Sequence, residues 1–278
     1  MNAGGRAGLD VDGHLVDLER GSRGRFGPDP MRALAHWDAL REWAEGVAAG
    51  AAEAVLDEST LGPCVPRPSK VFAVGLNYRA HAAEAGLDLP KQPLIFTKFP
   101  SCLVGPCADV VLTSERVDYE VELVVVVGRR GRRIDEARAL AHVAGYCVGQ
   151  DISDRALQFA DRPPQFSLGK SADSFGPIGP AVVSLDACED PDDLALWCEV
   201  SGERLQEDRT RDMIFSVAEL IAHLSRYCTL EPGDLVFTGT PAGVGSVRDP
   251  RRYLAAGDEI RSGIDGIGIL HNRCVAGS

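Results

Sequence analysis

Asp118–Gly128, DYEVELVVVVG, joins an acidic head to the uninterrupted apolar run Leu123 to Val127. A short β-branched run closed by glycine reads as a strand over 120–128. Side chains alternate across a strand, so Glu120 and Glu122 share one face. A second apolar run, 143–149, leads to Asp151. A carboxylate taken out of water is costly unless it is paired or coordinates a metal, and neighbouring carboxylates also repel each other. Neither DYEVELVVVVG nor HVAGYCVGQD holds a Lys or Arg, and the nearest cations, Arg129 to Arg133, lie beyond the far end of the strand. Convergence of Glu120, Glu122 and Asp151 therefore predicts a hard divalent cation. An oxygen-only set suits Mg2+, Mn2+ or Ca2+, whereas zinc favours His and Cys. The alternative is plain solvation, since strand ends are often wet and acidic side chains mostly exposed.

Outward from this pair, further strands are expected at 71–75, 94–98, 143–150, 180–185, 194–200, 235–238 and 259–262. A helix is expected from Ser216, where Glu219 completes a capping box and Leu220, Ile221 and Leu224 share a face. Many strands without regular βαβ alternation predict a strand-rich α+β fold of mixed β architecture. Near the N-terminus, Leu34, Trp37, Leu40 and Trp43 recur at helical spacing within Met31 to Ala52, a stripe read as core packing. Pro63, Pro66 and Pro68 punctuate the chain ahead of the 71–75 strand. The expected division is a small N-terminal domain at 1–66 and a main domain at 67–278.

The 278 residues can bury a full core, and 45% hydrophobic with 25% charged content is ordinary for a soluble globular chain. A formal charge of -12 argues against a nucleic-acid partner or an anionic membrane surface. The eight cysteines form no C-x-x-C pair and several sit inside apolar runs, which reads as reduced thiols in a cytoplasmic protein. Neither a signal core nor an apolar stretch of membrane-spanning length is seen in the sequence.

Three other motifs can carry chemistry. In Asn77–Glu84, NYRAHAAE, His81 and Glu84 sit three apart on an expected short helix and face one side. A carboxylate beside an imidazole orients the ring and raises its basicity, as a general base requires; a surface contact is the other reading. Gly239–Gly245, GTPAGVG, follows an apolar strand and lacks both the P-loop ending and the dinucleotide pattern. It reads equally as a tight turn or as a loop whose N–H groups and Thr240 hydroxyl hold an anion. Lys170 stands between Phe166 and Phe175, either as a snorkelling surface lysine or as a buried ammonium facing developing negative charge. The Arg129–Arg133 cluster reads as a solvated turn.

Taken together, VFAVGLNYRAHAAE, DYEVELVVVVG, AGYCVGQDISDRALQ, KSADSFGPIGP, SGERLQEDRTRDMIFSVAELIAHLS, LEPGDLVFTGTPAGVG and GDEIRSGIDGIGILHNRCV resemble, in order, the fumarylacetoacetate hydrolase family from about Lys70 to Val275. The resemblance implies a mixed β-roll with packed sheets, usually a homodimer. It implies that Glu120, Glu122 and Asp151 bind Mg2+ or Mn2+, and that His81 and Glu84 form a water-activating dyad. It also implies that Lys170, Arg155, Gln158, Gly239 and Thr240 contact a small 2-oxo acid substrate. Gln150 and Ser201 depart from the family pattern, which commonly has Asn at both positions.

The activity so implied is metal-dependent hydrolysis of a C–C bond in a 2,4-dioxo acid, an acylpyruvate or a fumarylacetoacetate-like compound, through a metal-stabilised enolate. The same enolate serves decarboxylation of an oxaloacetate-like acid or isomerisation of an unsaturated 2-oxo diacid. A non-catalytic metal and ligand binder is the reading from a different class. Catabolism of aromatic compounds is one compatible setting.

Overall fold

In the computed structural model, residues 1–47 and 54–277 are described. The expected central strand spans Val121–Val127 and is buried at every position. It lies antiparallel between Val143–Gln150 and Leu235–Phe237 in a seven-stranded mixed sheet. Leu235–Phe237 runs parallel to Val71–Gly75, which pairs with Leu94–Thr97 at one edge. On the other side Val143–Gln150 pairs with Gly176–Val183, which runs parallel to Leu103–Val104.

A five-stranded sheet packs against this one. It orders Glu203–Arg209, Ala195–Val200, Glu259–Ile264, Gly268–Ala276 and Val110–Leu112. The two central strands of the first sheet contact Ala195–Val200 and Glu259–Ile264 of the second. Strands covered on both faces read as unbroken apolar runs, which explains LVVVV. The helix Val217–Tyr227 carries the expected Ser216–Glu219 capping box and buries Leu220, Ile221 and Leu224. The architecture is strand-rich α+β with packed mixed sheets.

Several expectations differ in detail. The helical stretch of Met31 to Ala52 divides into Pro30–Ala35 and Trp37–Ala44 at His36, whose φ of -117° is not helical, and residues 48–53 lie outside the described residues. Its stripe does pack, with Leu34 and Leu40 buried and Trp37 against both apolar clusters. The strand expected at 180–185 is Gly176–Val183; Pro180 falls where the pairing with Val143–Gln150 shifts register, and Pro177 is in register with Val104 of the parallel neighbour. Glu203–Arg209 and Gly268–Ala276 were not expected. The first, ERLQEDR, is an edge strand with few apolar residues, placed by its partner and not by its own propensity.

Before residue 66 the chain adds a four-stranded sheet, Asn2–Ala3, Arg6–Val11, His14–Asp17 and Ala54–Val55. The sheet and helices share a small core of Ala7, Leu18, Phe26, Ala33 and Leu40, while Leu34, Cys64 and Val65 join the main core. All eight cysteines are unpaired. Among the described residues no helix is long and apolar enough to cross a membrane.

Candidate metal centre and catalytic pocket

Register brings the acidic residues together. Val121 faces Gln150 across the ladder, and the Asp151 N–H donates to the Glu120 carbonyl at 2.9 Å, extending the pairing by one step. Oxygens of Glu120, Glu122 and Asp151 then lie within 4.8 Å of one another, with all three residues buried. Gln150 secures this end: its Oε1 accepts from the Glu120 N–H at 2.9 Å and its Nε2 donates to Ser262 Oγ at 2.6 Å. The departure at this position thus serves a buried structural clamp.

The carboxylates are not without cations, contrary to what the two sequence segments suggest. Lys170 Nζ donates at 2.6 Å to both Glu120 Oε2 and Asp151 Oδ2. Lys98 Nζ donates to Asp151 Oδ1 at 2.7 Å and to the Phe175 carbonyl at 3.0 Å. The Arg155 guanidinium reaches Glu120 Oε1, Asp118 Oδ2 and Gln158 Oε1. The separation of these groups along the chain hid them; folding places them beside the triad. Lys98 and Asp118 were missed altogether. The only signal for Lys98 is a lysine closing the apolar LIFT strand, and for Asp118 an acidic residue heading the acidic stretch itself.

These pairings divide the two glutamates. Burial pushes the Glu120 carboxyl up, but Lys170 and Arg155 outweigh it and bring it down to about 2. Burial, then Asp151 and Glu120, push Glu122 well above the usual carboxylate range. Its recorded hydrogen bond is the Gly239 N–H at 2.8 Å. Four buried acids, Asp118, Glu120, Glu122 and Asp151, stand against Lys98, Arg155 and Lys170. A buried carboxylate short of one positive charge, in an oxygen-only cluster, fits a hard divalent cation.

The loop after Leu235–Phe237 holds anions, and those recorded are the chain's own carboxylates. Gly239 N–H binds Glu122, Gly243 N–H binds Glu84 at 3.0 Å, and Gly245 and Ser246 N–H bind Asp118 at 2.7 and 3.0 Å. Gly239 has φ +101°, a region open to glycine. The Thr240 hydroxyl donates to the Val121 carbonyl and accepts from Gln206, tying the loop to the central strand.

His81 and Glu84 sit on the short helix Arg79–Glu84. His81 Nδ1 is buried 3.5 Å from Glu84 Oε2, longer than a hydrogen bond and within ion-pair reach. Burial raises the Glu84 carboxyl, yet His81 and the Gly243 N–H together bring it below its ordinary value. His81, Glu120, Glu122, Arg155, Gln158, Lys170 and Thr240 all line one cavity of about 210 Å³. Asp151, Gly239 and Glu84 stand behind that lining and contact it through Lys170, Glu122 and His81. The cavity can therefore place a small acid between a carboxylate cluster and an imidazole. The Arg129–Arg133 turn is remote from it, with Arg129 and Arg130 in exposed ion pairs to Asp38 and Glu231.

Known proteins share this arrangement of chain. A Mycobacterium smegmatis crystal structure provisionally named HpcE is 50% identical, covering 100% of this chain and 99% of that one, with a TM-score of 0.94. The maleylpyruvate hydrolase of Sphingobium sp. SYK-6, solved with manganese(II) and pyruvate, is 30% identical with a TM-score of 0.83, covering 99% and 97%. The mitochondrial oxaloacetate tautomerase FAHD2B of Bos taurus is 45% identical over 220 residues, 78% of this chain and 70% of the bovine protein. Residues 70–275 match the fumarylacetoacetate (FAA) hydrolase C-terminal family. With the family matched over most of its length and the fold shared throughout, the chain belongs to the fumarylacetoacetate hydrolase family of enzymes.

Proposed function

We propose that the chain is a divalent-metal-dependent hydrolase cleaving a C–C bond of a 2,4-dioxo acid. The observation that carries this reading is the shared cavity, with the carboxylate cluster and His81 both on its wall. Glu120, Glu122 and Asp151 would hold Mg2+ or Mn2+, and Ca2+ meets the same donor chemistry. Bound there, the cation supplies Lewis-acid stabilisation of negative charge developing on the 2-oxo oxygen.

His81 takes a proton from water, and ionised Glu84 orients the imidazole and stabilises the imidazolium that results. The water oxygen adds to the C4 carbonyl, the C3–C4 bond breaks, and its electron pair enters the enolate of pyruvate. The second product is a carboxylic acid, and the His81 proton returns to C3. Lys170, with burial lowering its affinity for protons and Asp151 and Glu120 more than restoring it, stays an ammonium facing that charge. Arg155, Gln158 and Thr240 position the acid, and the Gly239 N–H acts behind the lining by holding Glu122.

A second reading draws on the 45% identity to bovine oxaloacetate tautomerase: the same pocket would move a proton between C3 and the 2-oxo oxygen without breaking carbon. The exposed apolar residues Leu157 and Leu168 on neighbouring short helices support a homodimer, which light scattering of the purified chain would check. The deciding experiment follows pyruvate release and enol absorbance on acylpyruvates and oxaloacetate, with and without Mn2+. Metal-dependent pyruvate from acylpyruvates supports the hydrolase; oxaloacetate tautomerisation without pyruvate from any substrate replaces it by the second reading.

A further inference from the structure

Asp118 is buried, does not line the cavity, and stands outside the three carboxylates whose oxygens converge. Its short strand, Val117–Asp118, pairs antiparallel with Ser153–Asp154, and this register sets it opposite Ser153, two residues before Arg155. Four donors meet on its carboxylate. Oδ1 accepts from the Gly245 N–H at 2.7 Å and from the Tyr119 N–H at 3.0 Å. Oδ2 accepts from the Ser246 N–H at 3.0 Å and from Arg155 Nε at 2.9 Å.

These bonds reach two separate parts of the cavity lining. Arg155 gives Nε to Asp118, one Nη1 hydrogen to Gln158 and one Nη2 hydrogen to Glu120, which fixes the guanidinium plane and leaves one hydrogen on each Nη for an acid. The loop after Leu235–Phe237 has no strand or helix of its own between residues 238 and 258. Its seat is set by Asp118 and by the adjacent Tyr119, whose hydroxyl donates to the Gly243 carbonyl at 3.1 Å. From there it presents the Gly243 N–H to Glu84 at 3.0 Å, and Val244, Ser246 and Val247 to the cavity. The approach is close enough to require glycine at 245, where a Cβ would overlap the Arg252 carbonyl and stand 2.7 Å from Asp118 Oδ1. Resting on the hydrolase reading above, we infer that Asp118 is a positioning residue: one carboxylate aims Arg155 at the acid and also seats the loop that keeps Glu84 beside His81. Sharing the carboxylate fixes the distance between the acid-holding and water-activating groups, and a misplacement of about 1 Å costs about 10²-fold in rate. An amide cannot replace it. One of its two heavy atoms only donates, so Asp118→Asn leaves either Gly245 and Tyr119 or Ser246 and Arg155 without an acceptor.

The test is a double-mutant cycle on kcat/KM of the Mn2+-loaded full chain with an acylpyruvate. Asp118 and Glu84 are joined only through the loop, by the N–H groups of Gly245 and Gly243. Glu84→Gln is therefore expected to lose at least about threefold less activity when combined with Asp118→Asn than it loses in the parent. Asp118→Asn alone is expected to raise KM through Arg155 and to lower kcat through Glu84. Additive losses, or a change in KM alone or kcat alone, overturn the inference and leave the hydrolase reading standing.

If no acylpyruvate is cleaved, the hydrolase reading fails and amide hydrogen exchange decides the link by itself. The Gly243 N–H bonds Glu84 and not Asp118, yet Asp118→Asn is expected to speed its exchange by at least about 10-fold more than that of the Val121–Val127 amides, which report global stability. Equal acceleration at both places marks a loss of global stability only and overturns the inference. Should Asp118→Asn not fold, Tyr119→Phe removes a single hydroxyl from the same loop and carries the cycle with Glu84→Gln and the Gly243 exchange, with the same directions expected. Additivity in that cycle, or exchange at Gly243 no faster than in the strand, overturns the inference there too.

Discussion

The Lys170 ammonium lies 2.6 Å from Asp151 Oδ2 and, at the same distance, from Glu120 Oε2, so one side chain bridges two members of the acidic triad. Lys98 takes the other Asp151 oxygen and Arg155 the other Glu120 oxygen. Glu122 has no such partner among the described residues and is held by the Gly239 N–H. The cluster thus contains its own scaffold of cations and one carboxylate left for an added charge.

Removing the bridge should separate these roles. Lys170→Met leaves buried carboxylates uncompensated, a loss of about 3–5 kcal/mol for a broken buried pair. The metal-free variant is expected to melt well below the parent, and MnCl2 should raise its Tm by more than it raises the parent's, because the ion restores missing positive charge. Thermal denaturation with and without MnCl2 reads this; equal metal-induced shifts in both proteins would place the ion elsewhere.

His81→Ala is expected to lower kcat on an acylpyruvate by about 10² to 10⁴-fold, the range for losing a positioned acid–base group. Its Mn2+ affinity by calorimetry should match the parent, since no contact to the triad is removed. Glu84→Gln should lose less, keeping shape while giving up the charge that stabilises the imidazolium. Were His81→Ala fully active and Glu120→Ala dead, water activation by this pair would be the wrong assignment.

At Gly239 the backbone has φ +101°, and an added Cβ would stand 2.7 Å from Asn77 Cβ and 3.1 Å from the Val74 carbonyl. Asn77 cannot yield freely, because its side chain bonds the Thr238 carbonyl at 2.7 Å and both backbone groups of Phe215. Gly239→Ala is therefore expected to cost about 1–3 kcal/mol in urea unfolding and to weaken Mn2+ binding by moving the N–H that holds Glu122. Unchanged stability together with unchanged affinity would refute this account.

Away from the pocket, Asp258 provides a pH signature. Burial raises its carboxyl, but Arg252 at 2.8 Å, the Ala255 N–H and the Ser201 hydroxyl together hold it below the ordinary value. A depressed folded pKa contributes stability above the unfolded pKa, about 3.9 for Asp, and that contribution is lost as pH falls through the folded value. Solvent screening at this partly exposed turn limits the effect of Asp258→Asn to about 1 kcal/mol at pH 7. The gap between parent and variant in urea unfolding should close as pH is lowered from 6 toward 3. A gap independent of pH would assign it to geometry and not to charge.

Ser201 illustrates a departure that acquires a physical meaning only in the fold. It adopts φ +50° and Gly202 φ +84° in the tight turn joining Ala195–Val200 to Glu203–Arg209, the conformation that Asn-Gly favours. Serine accepts this less readily, and its hydroxyl instead bonds Asp258. It therefore bears on a hairpin far along the chain from the pocket motifs, not on substrate shape.

Local pattern was enough for the buried strands Val121–Val127 and Val143–Gln150, the Ser216–Glu219 cap, the short helix of His81 and Glu84, and the acidic residues at the strand ends, because each rests on residues a few positions apart. Glu203–Arg209 escaped because an edge strand is held by a neighbour's hydrogen bonds, to which its own composition gives no clue. The pairing of the acids with cations escaped for the same reason. Lys98 and Lys170 reach Asp151 across 53 and 19 residues, and Arg155 reaches Glu120 across 35. Charge pairing depends on distance in space, falling off over a few ångströms, and sheet register alone sets that distance. Composition and motif thus specified acids in need of positive charge and the family chemistry; only the folded sheets decided that three cations meet most of that need and that Glu122 remains.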